Sequence, residues 1–133
     1  MKQSFRVRCI VEGNARATVL STTQPIAFLK GVDPEKGTII DSKHELCGAS
    51  FAGKILVFPN SVGSSVGAYV IYRLKRSGKA PKAIINQNAD IITASGCAIA
   101  GIPLYDMTED SIKEFKSGTR LVIDGLKSEV RVL

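Results

Sequence analysis

The stretch Lys54-Ile-Leu-Val-Phe-Pro-Asn-Ser-Val-Gly-Ser-Ser-Val-Gly-Ala-Tyr-Val70 decides how this chain folds. Its apolar run is continuous, which is typical of an interior strand covered on both faces, and Pro59 ends that strand because proline has no N–H to donate. From Ser64 or Ser65 onward, apolar residues recur at helical spacing, and Gly78 supplies a stop. The stretch therefore predicts a buried strand, a glycine- and serine-rich turn, and a helix.

This turn brings hydroxyl groups and backbone N–H groups together where a helix begins. The first N–H groups of a helix have no intrahelical partner and carry partial positive charge, so they can hold an anion or stabilise a deprotonated hydroxyl. Gly, Ser and Asn are also ordinary turn residues, and a serine at a helix start is more often a cap than a catalytic group. Composition alone leaves both interpretations open.

The bulk composition is that of one globular domain. The chain has 133 residues, of which 44% are hydrophobic and 23% are charged. No stretch approaches the roughly 20 apolar residues of a membrane span, and no signal-peptide pattern opens the chain. We expect a cytoplasmic protein of one domain, with no membrane partner.

The formal net charge of +6 admits nucleic acid, an anionic metabolite or an acidic protein as a partner. The densest basic stretch, 73–82, has no nucleic-acid-binding signature, and aromatic residues make up only 6% of the chain. We therefore expect a solvated basic face and no nucleic-acid partner. A basic nucleic-acid-binding module stays open as an alternative function of another class.

The three cysteines, Cys9, Cys47 and Cys97, are odd in number and widely separated. They form no CxxC pair, and the single histidine, His44, lies near only one of them. We expect neither a disulfide framework nor a metal or iron–sulfur site within this chain, and we expect reduced thiols.

The rest of the chain predicts short strands and one further helix. The helix begins after Thr108 and ends at Gly118, and Asp124-Gly125 predicts a hairpin at the end of the chain. The whole predicts a mixed β/α domain with two helices on a largely β scaffold. The predicted strands are 5–11, 16–20, 28–32, 38–41, 54–58, 83–85, 91–94, 120–123 and 129–133.

Several motifs that are weak singly follow one another in order between Gly13 and Pro103. They are Gly31-Val-Asp33, Gly37-Thr-Ile-Ile-Asp41, His44, Gly48, Gly53-Lys-Ile-Leu-Val-Phe-Pro59 and Gly63-Ser-Ser65 before a helix. Together they resemble the small subunit of the aconitase X family. The resemblance implies that residues 1–133 form one swivelling β/β/α domain, the counterpart of the mobile domain of aconitase. It also implies an aconitase X-type large subunit as partner, which carries the iron–sulfur cluster, while this chain binds no cofactor alone.

The resemblance further implies a hydro-lyase subunit that is active only with its large subunit. In its separate-chain form the family is similar to enzymes that dehydrate (R)-5-phosphomevalonate to trans-anhydromevalonate 5-phosphate in the mevalonate route of isoprenoid biosynthesis. The expected substrate is therefore a phosphorylated hydroxy acid. Paired or fused relatives dehydrate hydroxyproline epimers, so a hydroxyproline or another hydroxy acid stays open as an alternative substrate.

By this resemblance the catalytic base is Ser64, which matches the serine base in the Gly-Ser-Ser turn of aconitases. A serine hydroxyl is a poor base in water, so its alkoxide needs strong stabilisation. We expect it from the N–H groups of Ser65, Val66 and Gly67 at the helix start. The residues expected to contact substrate are Asn60, Ser61, Gly63, Ser65 and Val66.

One departure from aconitases concerns substrate choice. Aconitases follow the serine pair with Arg-Glu, and the arginine grips a substrate carboxylate, whereas Val66-Gly67 stand here. The departure argues for a substrate other than citrate or isopropylmalate. Phosphate recognition is left to the amides of 63–67, to Arg6 or Arg8, or to the partner. For His44, Asp41 and Asp90 we prefer roles in holding loops to roles in chemistry.

Overall fold

The structure, a computed structural model, describes residues 3–133, apart from the side chains of residues 109 and 110. The predicted mixed β/α class is confirmed. The elements follow one another as β1 (Ser4–Arg6), β2 (Arg8–Val11), β3 (Ala15–Ser21), α1 (Phe28–Gly31), β4 (Val32–Asp33), β5 (Thr38–Ile39), β6 (Ile55–Phe58), α2 (Gly67–Arg76), β7 (Ala83–Asn86), α3 (Ile91–Ala100), β8 (Leu104–Asp106), α4 (Glu109–Ile112), β9 (Arg120–Asp124) and β10 (Glu129–Val132).

The main sheet has eight strands in the order β1-β10-β9-β3-β6-β7-β8-β2. Its two outermost strands, β1 and β2, are separated in sequence by Val7 alone, so the sheet is nearly closed on itself. The strands β3, β6, β7 and β8 run parallel to one another, and the remaining neighbours pair antiparallel. The short strands β4 and β5 form a separate hairpin.

Two apolar cores lie on the two faces of this sheet. Ile55 and Val57 belong to the core enclosed by the curved sheet, whereas Leu56 and Phe58 belong to the core beneath α2 and α3. All four side chains of β6 are buried, which confirms the predicted strand covered on both faces. The continuous apolar run is therefore explained by a sheet with no solvent-facing side at this position.

The helices α2 and α3 pack against each other at very short range. Gly96 of α3 lies so close to α2 that a Cβ atom there would sit 2.8 Å from Ile71 Cδ1 and 3.1 Å from the carbonyl oxygen of Ala68. The apolar stripe predicted to pack in the core is confirmed at Val70, Ile71 and Leu74 but wrong at Val66, which lies just before the helix and is 48% exposed. Small residues thus fix how the two helix starts sit relative to each other.

Two predicted strands are wrong or shortened. Residues 91–94 begin the ten-residue helix α3 rather than a strand, because Asp90 caps the helix and small residues pack it against α2. The structure therefore has a further long helix beyond the two predicted. Residues 28–31 form a single irregular helical turn in which Lys30 has a φ of +72°, and only the following two residues pair as β4.

The other predictions hold with shifted ends. The strand predicted over 5–11 is broken at Val7, whose N–H donates to the carbonyl of Ser128. The helix after Thr108 spans only four residues instead of continuing to Gly118. The closing hairpin of β9 and β10 is confirmed. None of the helices within the described part of the chain has the length and apolar character of a membrane span.

Candidate functional site

The glycine- and serine-rich turn lies at the carboxyl edge of the parallel strands. Residues 59–66 connect β6 to α2, and residues 87–90 connect β7 to α3, so both helices begin at the same edge. In open parallel arrangements this edge is where ligands bind, because the connecting loops converge there.

The start of the turn is buried and firmly held. Ser61 is 6% exposed, its N–H donates to Asp90 Oδ1 at 2.7 Å, and its hydroxyl is hydrogen-bonded to the hydroxyl of Thr93. On the other side, the N–H of Val62 donates to the carbonyl of Ile26 at 3.1 Å. The turn is thus fastened to α3 and to the segment after β3 before it reaches the two serines.

Ser64 lies beyond this fastened part and is exposed. Its Oγ accepts a hydrogen bond from the N–H of Val66 at 3.1 Å, while the N–H of Gly67 donates to the Ser64 carbonyl at 2.9 Å. Within residues 3–133 no group accepts from the N–H of Ser65. One of the three N–H groups expected to stabilise the alkoxide therefore reaches the hydroxyl, one is engaged by the backbone and one is open.

The other residues expected to contact substrate lie on the same turn. Gly63 has a φ of +91°, a conformation that favours glycine, and it comes immediately before the two serines. Asn60 Nδ2 donates to the Ser61 carbonyl at 3.0 Å, and Ser65 and Val66 are exposed. Contact between these residues and substrate stays a prediction. For Ser61 it would require the buried hydroxyl to exchange its bond with Thr93.

Exposed apolar side chains lie in the turn and at the starts of α2 and α3. Val62 and Ile91 directly follow the bonded pair Ser61 and Asp90, and they are 44% and 77% exposed. On α2, Val66 and Tyr69 are 48% and 72% exposed. We call Val62, Val66, Tyr69 and Ile91 the apolar rim. Exposed apolar groups concentrated at one place are typical of a surface that another protein covers.

Arg8 is engaged at this edge rather than open to a ligand. Its Nε and Nη2 donate to the two carboxylate oxygens of Asp106 at 2.9 and 2.6 Å, and the N–H of Ala89 donates to Asp106 Oδ2 at 3.0 Å. Burial pushes the pKa of Asp106 upward, but the bonds from Arg8 and Ala89 outweigh it and hold that pKa below its usual value. The bond to Asp106 in turn raises the pKa of Arg8. Sequence reasoning missed this pair because Arg8 and Asp106 meet only through the register of β2 on β8.

His44 and Asp41 hold loops, as preferred from the sequence. His44 Nδ1 accepts from the N–H of Leu46 at 3.0 Å, and its Nε2 lies 3.2 Å from the carbonyl oxygen of Pro25. Asp41 Oδ1 accepts from the N–H of Lys43 at 3.0 Å. Asp90 also binds loop and helix backbone, so the same preference is confirmed for it.

The cysteines are not gathered at the site. Cys9 and Cys47 are exposed, while Cys97 is buried in α3, where burial raises its pKa to about 12 and the charge of Asp90 adds to the effect. Among the side chains that the structure describes, no three of His, Cys, Asp or Glu are grouped so that they could hold a metal ion.

The family model described as the aconitase X swivel domain matches residues 4–132. This chain belongs to that family. It is 46% identical over 129 residues to the phosphomevalonate dehydratase small subunit of Thermococcus gammatolerans, covering 97% of each chain. It is 47% identical over 131 residues to the protein of the same name from Methanothrix thermoacetophila, covering 97% of this chain and 95% of the relative.

Solved structures agree with the family assignment. The crystal structure of Thermococcus kodakaraensis aconitase X in its holo-form superposes with a TM-score of 0.93 at 44% identity, covering 98% of both chains. A solution NMR structure of a UPF0107 protein superposes with a TM-score of 0.89 at 40% identity, covering 98% of this chain and 99% of that one. The swivelling β/β/α fold expected from the sequence is therefore confirmed.

Proposed function

We propose that this chain is the small subunit of a hydro-lyase that dehydrates (R)-5-phosphomevalonate to trans-anhydromevalonate 5-phosphate. The names of relatives that match over 97% of both chains support the reaction. The observation in the structure that carries the proposal is the exposed Ser64 hydroxyl, which receives the Val66 N–H at the start of α2. The turn is held on its buried side at Ser61, whereas Ser64 is exposed.

In the proposed reaction Ser64 acts as the base. Its alkoxide takes the proton from the carbon beside the substrate carboxylate, the electrons of that C–H bond form the double bond, and the C–O bond of the neighbouring carbon breaks. The Val66 N–H, the open Ser65 N–H and the partial positive charge of the helix start lower the energy of the alkoxide. We propose that Asn60, Ser61, Gly63, Ser65 and Val66 shape the contact with substrate around it.

The proposed partner is a large subunit that covers the apolar rim. An alkoxide is stabilised by N–H groups far better in a site without water, and the exposed rim side chains lie on the same turn as Ser64 and at the starts of the two helices at this edge. We propose that this subunit holds the iron–sulfur cluster, which when bound supplies a Lewis acid for the departing hydroxyl. We further propose that residues 1–133 move as one swivelling domain in the cytoplasm.

The alternatives are less well supported. A hydroxyproline or another hydroxy acid would use the same turn, but the relatives reported above are named for phosphomevalonate. The basic stretch 73–82 falls largely at the end of α2, where cations interact favourably with the helix dipole. The basic residues of this stretch can therefore be explained without a nucleic-acid partner.

The decisive experiment is reconstitution. This chain and a large subunit encoded by the same organism are purified separately, mixed, and assayed with (R)-5-phosphomevalonate and with hydroxyproline epimers. We expect no turnover by this chain alone and dehydration of phosphomevalonate by the pair. Dehydration of hydroxyproline only, or failure of the two chains to associate, would contradict the proposal.

A further inference from the structure

We propose that Asp90 is a positioning residue for Ser64: it holds the catalytic turn through Ser61 and does not touch the substrate. The inference rests on the proposed role of Ser64. It concerns a residue 29 positions further along the chain from Ser61, in the connection between β7 and α3.

The carboxylate of Asp90 joins two helix starts at once. Its Oδ2 accepts from the N–H of Thr93 at 3.0 Å, which caps α3. Its Oδ1 accepts from the Thr93 hydroxyl at 2.8 Å and from the N–H of Ser61 at 2.7 Å. The Thr93 hydroxyl is also bonded to the Ser61 hydroxyl, so the half-buried Asp90 and the buried Ser61 and Thr93 form one cluster that holds the turn before α2 to the start of α3.

The hydrogen bonds of Asp90 all go to groups of the protein itself. Three donors already occupy its carboxylate, and two of them converge on Oδ1. Hydrogen bonds to an ionised acceptor are roughly twice as strong as bonds between neutral groups, so this contact is well suited to hold a backbone N–H in place. Asp90 therefore acts on the chemistry through the position of the turn.

The mechanical consequence falls on the exposed part of the turn. Ser64 follows Ser61 by three residues, and the N–H of Val62 donates to Ile26 between them. Without Asp90 the turn keeps the Ser61–Thr93 hydroxyl bond and the backbone bonds to Ile26, but the N–H of Ser61 loses its acceptor and the link from the turn to the start of α3 is weakened. A displacement of about 1 Å in a catalytic group can cost about 100-fold in rate.

The test uses the assembled pair with Asp90→Asn and Thr93→Val. Asp90→Asn keeps the shape but replaces one acceptor oxygen with a donor, and Thr93→Val removes the hydroxyl that joins Asp90 to Ser61. The matched control is Asp124→Asn, because Asp124 Oδ1 accepts from the N–H groups of Leu126 and Lys127 in the final hairpin in the same kind of local bond.

We expect Asp90→Asn to lower kcat by about 10- to 100-fold, with KM changed less than about threefold, while Asp124→Asn leaves both unchanged. In a Ser64→Ala background, Asp90→Asn should cause no further loss, since it acts through Ser64. A full kcat for Asp90→Asn would overturn the proposal. A loss that is undiminished in the Ser64→Ala background would overturn it as well.

A second measurement is independent of turnover. Amide hydrogen exchange of residues 62–66 in the assembled pair should be faster in Asp90→Asn and Thr93→Val than in the wild type and Asp124→Asn. Unchanged exchange in both variants would overturn the fastening by Asp90. If Ser64→Ala kept its full rate while exchange still rose, the assignment of Ser64 would fail and the fastening would stand.

Discussion

The two long helices of this domain begin side by side at one edge of the sheet, yet their starts are built differently. The start of α3 is closed: Asp90 caps it, and the capping cluster with Thr93 is largely buried. The start of α2 is open: the residue before it, Val66, makes no side-chain cap, and Ser64 is exposed.

The difference between the two helix starts suggests that one serves the stability of the fold and the other serves the reaction. A side-chain cap is worth about 1 kcal/mol, and at the open start the hydroxyl that accepts from the helix backbone is that of Ser64, the group proposed to react, so the reaction uses a bond that the closed start keeps. In exchange, the open start keeps its partial positive charge and the Ser65 N–H available. A turn that serves chemistry is expected to leave such groups unsatisfied until substrate arrives.

The largest expected effect is the fall in kcat when the Ser64 hydroxyl, at the open start, is removed. In the reconstituted pair, Ser64→Ala should lower kcat by about 10²- to 10⁴-fold, the usual contribution of general acid–base catalysis. Because Ser64 is exposed, the variant should fold and associate as the wild type does. Ser65→Ala is the matched control and should keep most of the rate.

The paired serine variants also decide between neighbours. If Ser64→Ala kept a rate near that of the wild type, Ser64 would not be the base. If Ser65→Ala alone were inactive, the base would move by one residue, and the Ser65 hydroxyl would take the role here given to Ser64.

A smaller effect should follow from closing the open start with a charge. Val66→Asp places a carboxylate at the beginning of α2, where it should raise the free energy of unfolding by about 0.3–1 kcal/mol through the helix dipole. The same charge should lower kcat, because it disfavours the Ser64 alkoxide next to it. The neutral control is Val66→Asn. Equal rates for the two variants would show that charge at this position does not matter to the reaction.

The comparison also shows what sequence could and could not predict. The strand β6 and the helix α2 follow from local signals, since the apolar run, Pro59 and the helical spacing all lie within one stretch. The helix α3 was mistaken for a strand because Ile91, Ile92 and Thr93 are β-branched, which favours strands locally. Its contact with Ile71 through Gly96 depends on tertiary packing, which outweighs that preference.

The site divides in the same way. The position of Ser64 at a helix start was predictable, because the turn and the helix are neighbours in sequence. The hydrogen bond from Ser61 to Asp90 was not predictable, because it joins the turn before α2 to the loop before α3, which are far apart in sequence. One signal was available: Asp90 is a preferred N-cap residue directly before the apolar segment that begins at Ile91, and it would have favoured a helix over a strand.

The smallest expected effect is a pH dependence confined to the closed start. Asp106 accepts from the N–H of Ala89, directly before Asp90, and its pKa lies below the usual value despite burial because of Arg8 and this N–H. A carboxyl group with a depressed pKa in the folded state stabilises the fold above its unfolded pKa of about 4, and that contribution is lost as the pH falls through the lower folded value.

We therefore expect the stability of the wild type to fall more steeply below about pH 4 than that of Asp106→Asn, measured by urea unfolding at a series of pH values. Arg8→Gln should flatten the same slope, because the N–H of Ala89 then opposes the upward effect of burial on the Asp106 pKa without help from Arg8. Parallel profiles for the wild type and Asp106→Asn would contradict the assignment.

The open start has no carboxylate in residues 59–67, so acid acting on Asp106 should speed amide exchange at Ala89 before it does so at Val66. This order of exchange would show that Asp106 supports the connection before α3 and not the turn before α2.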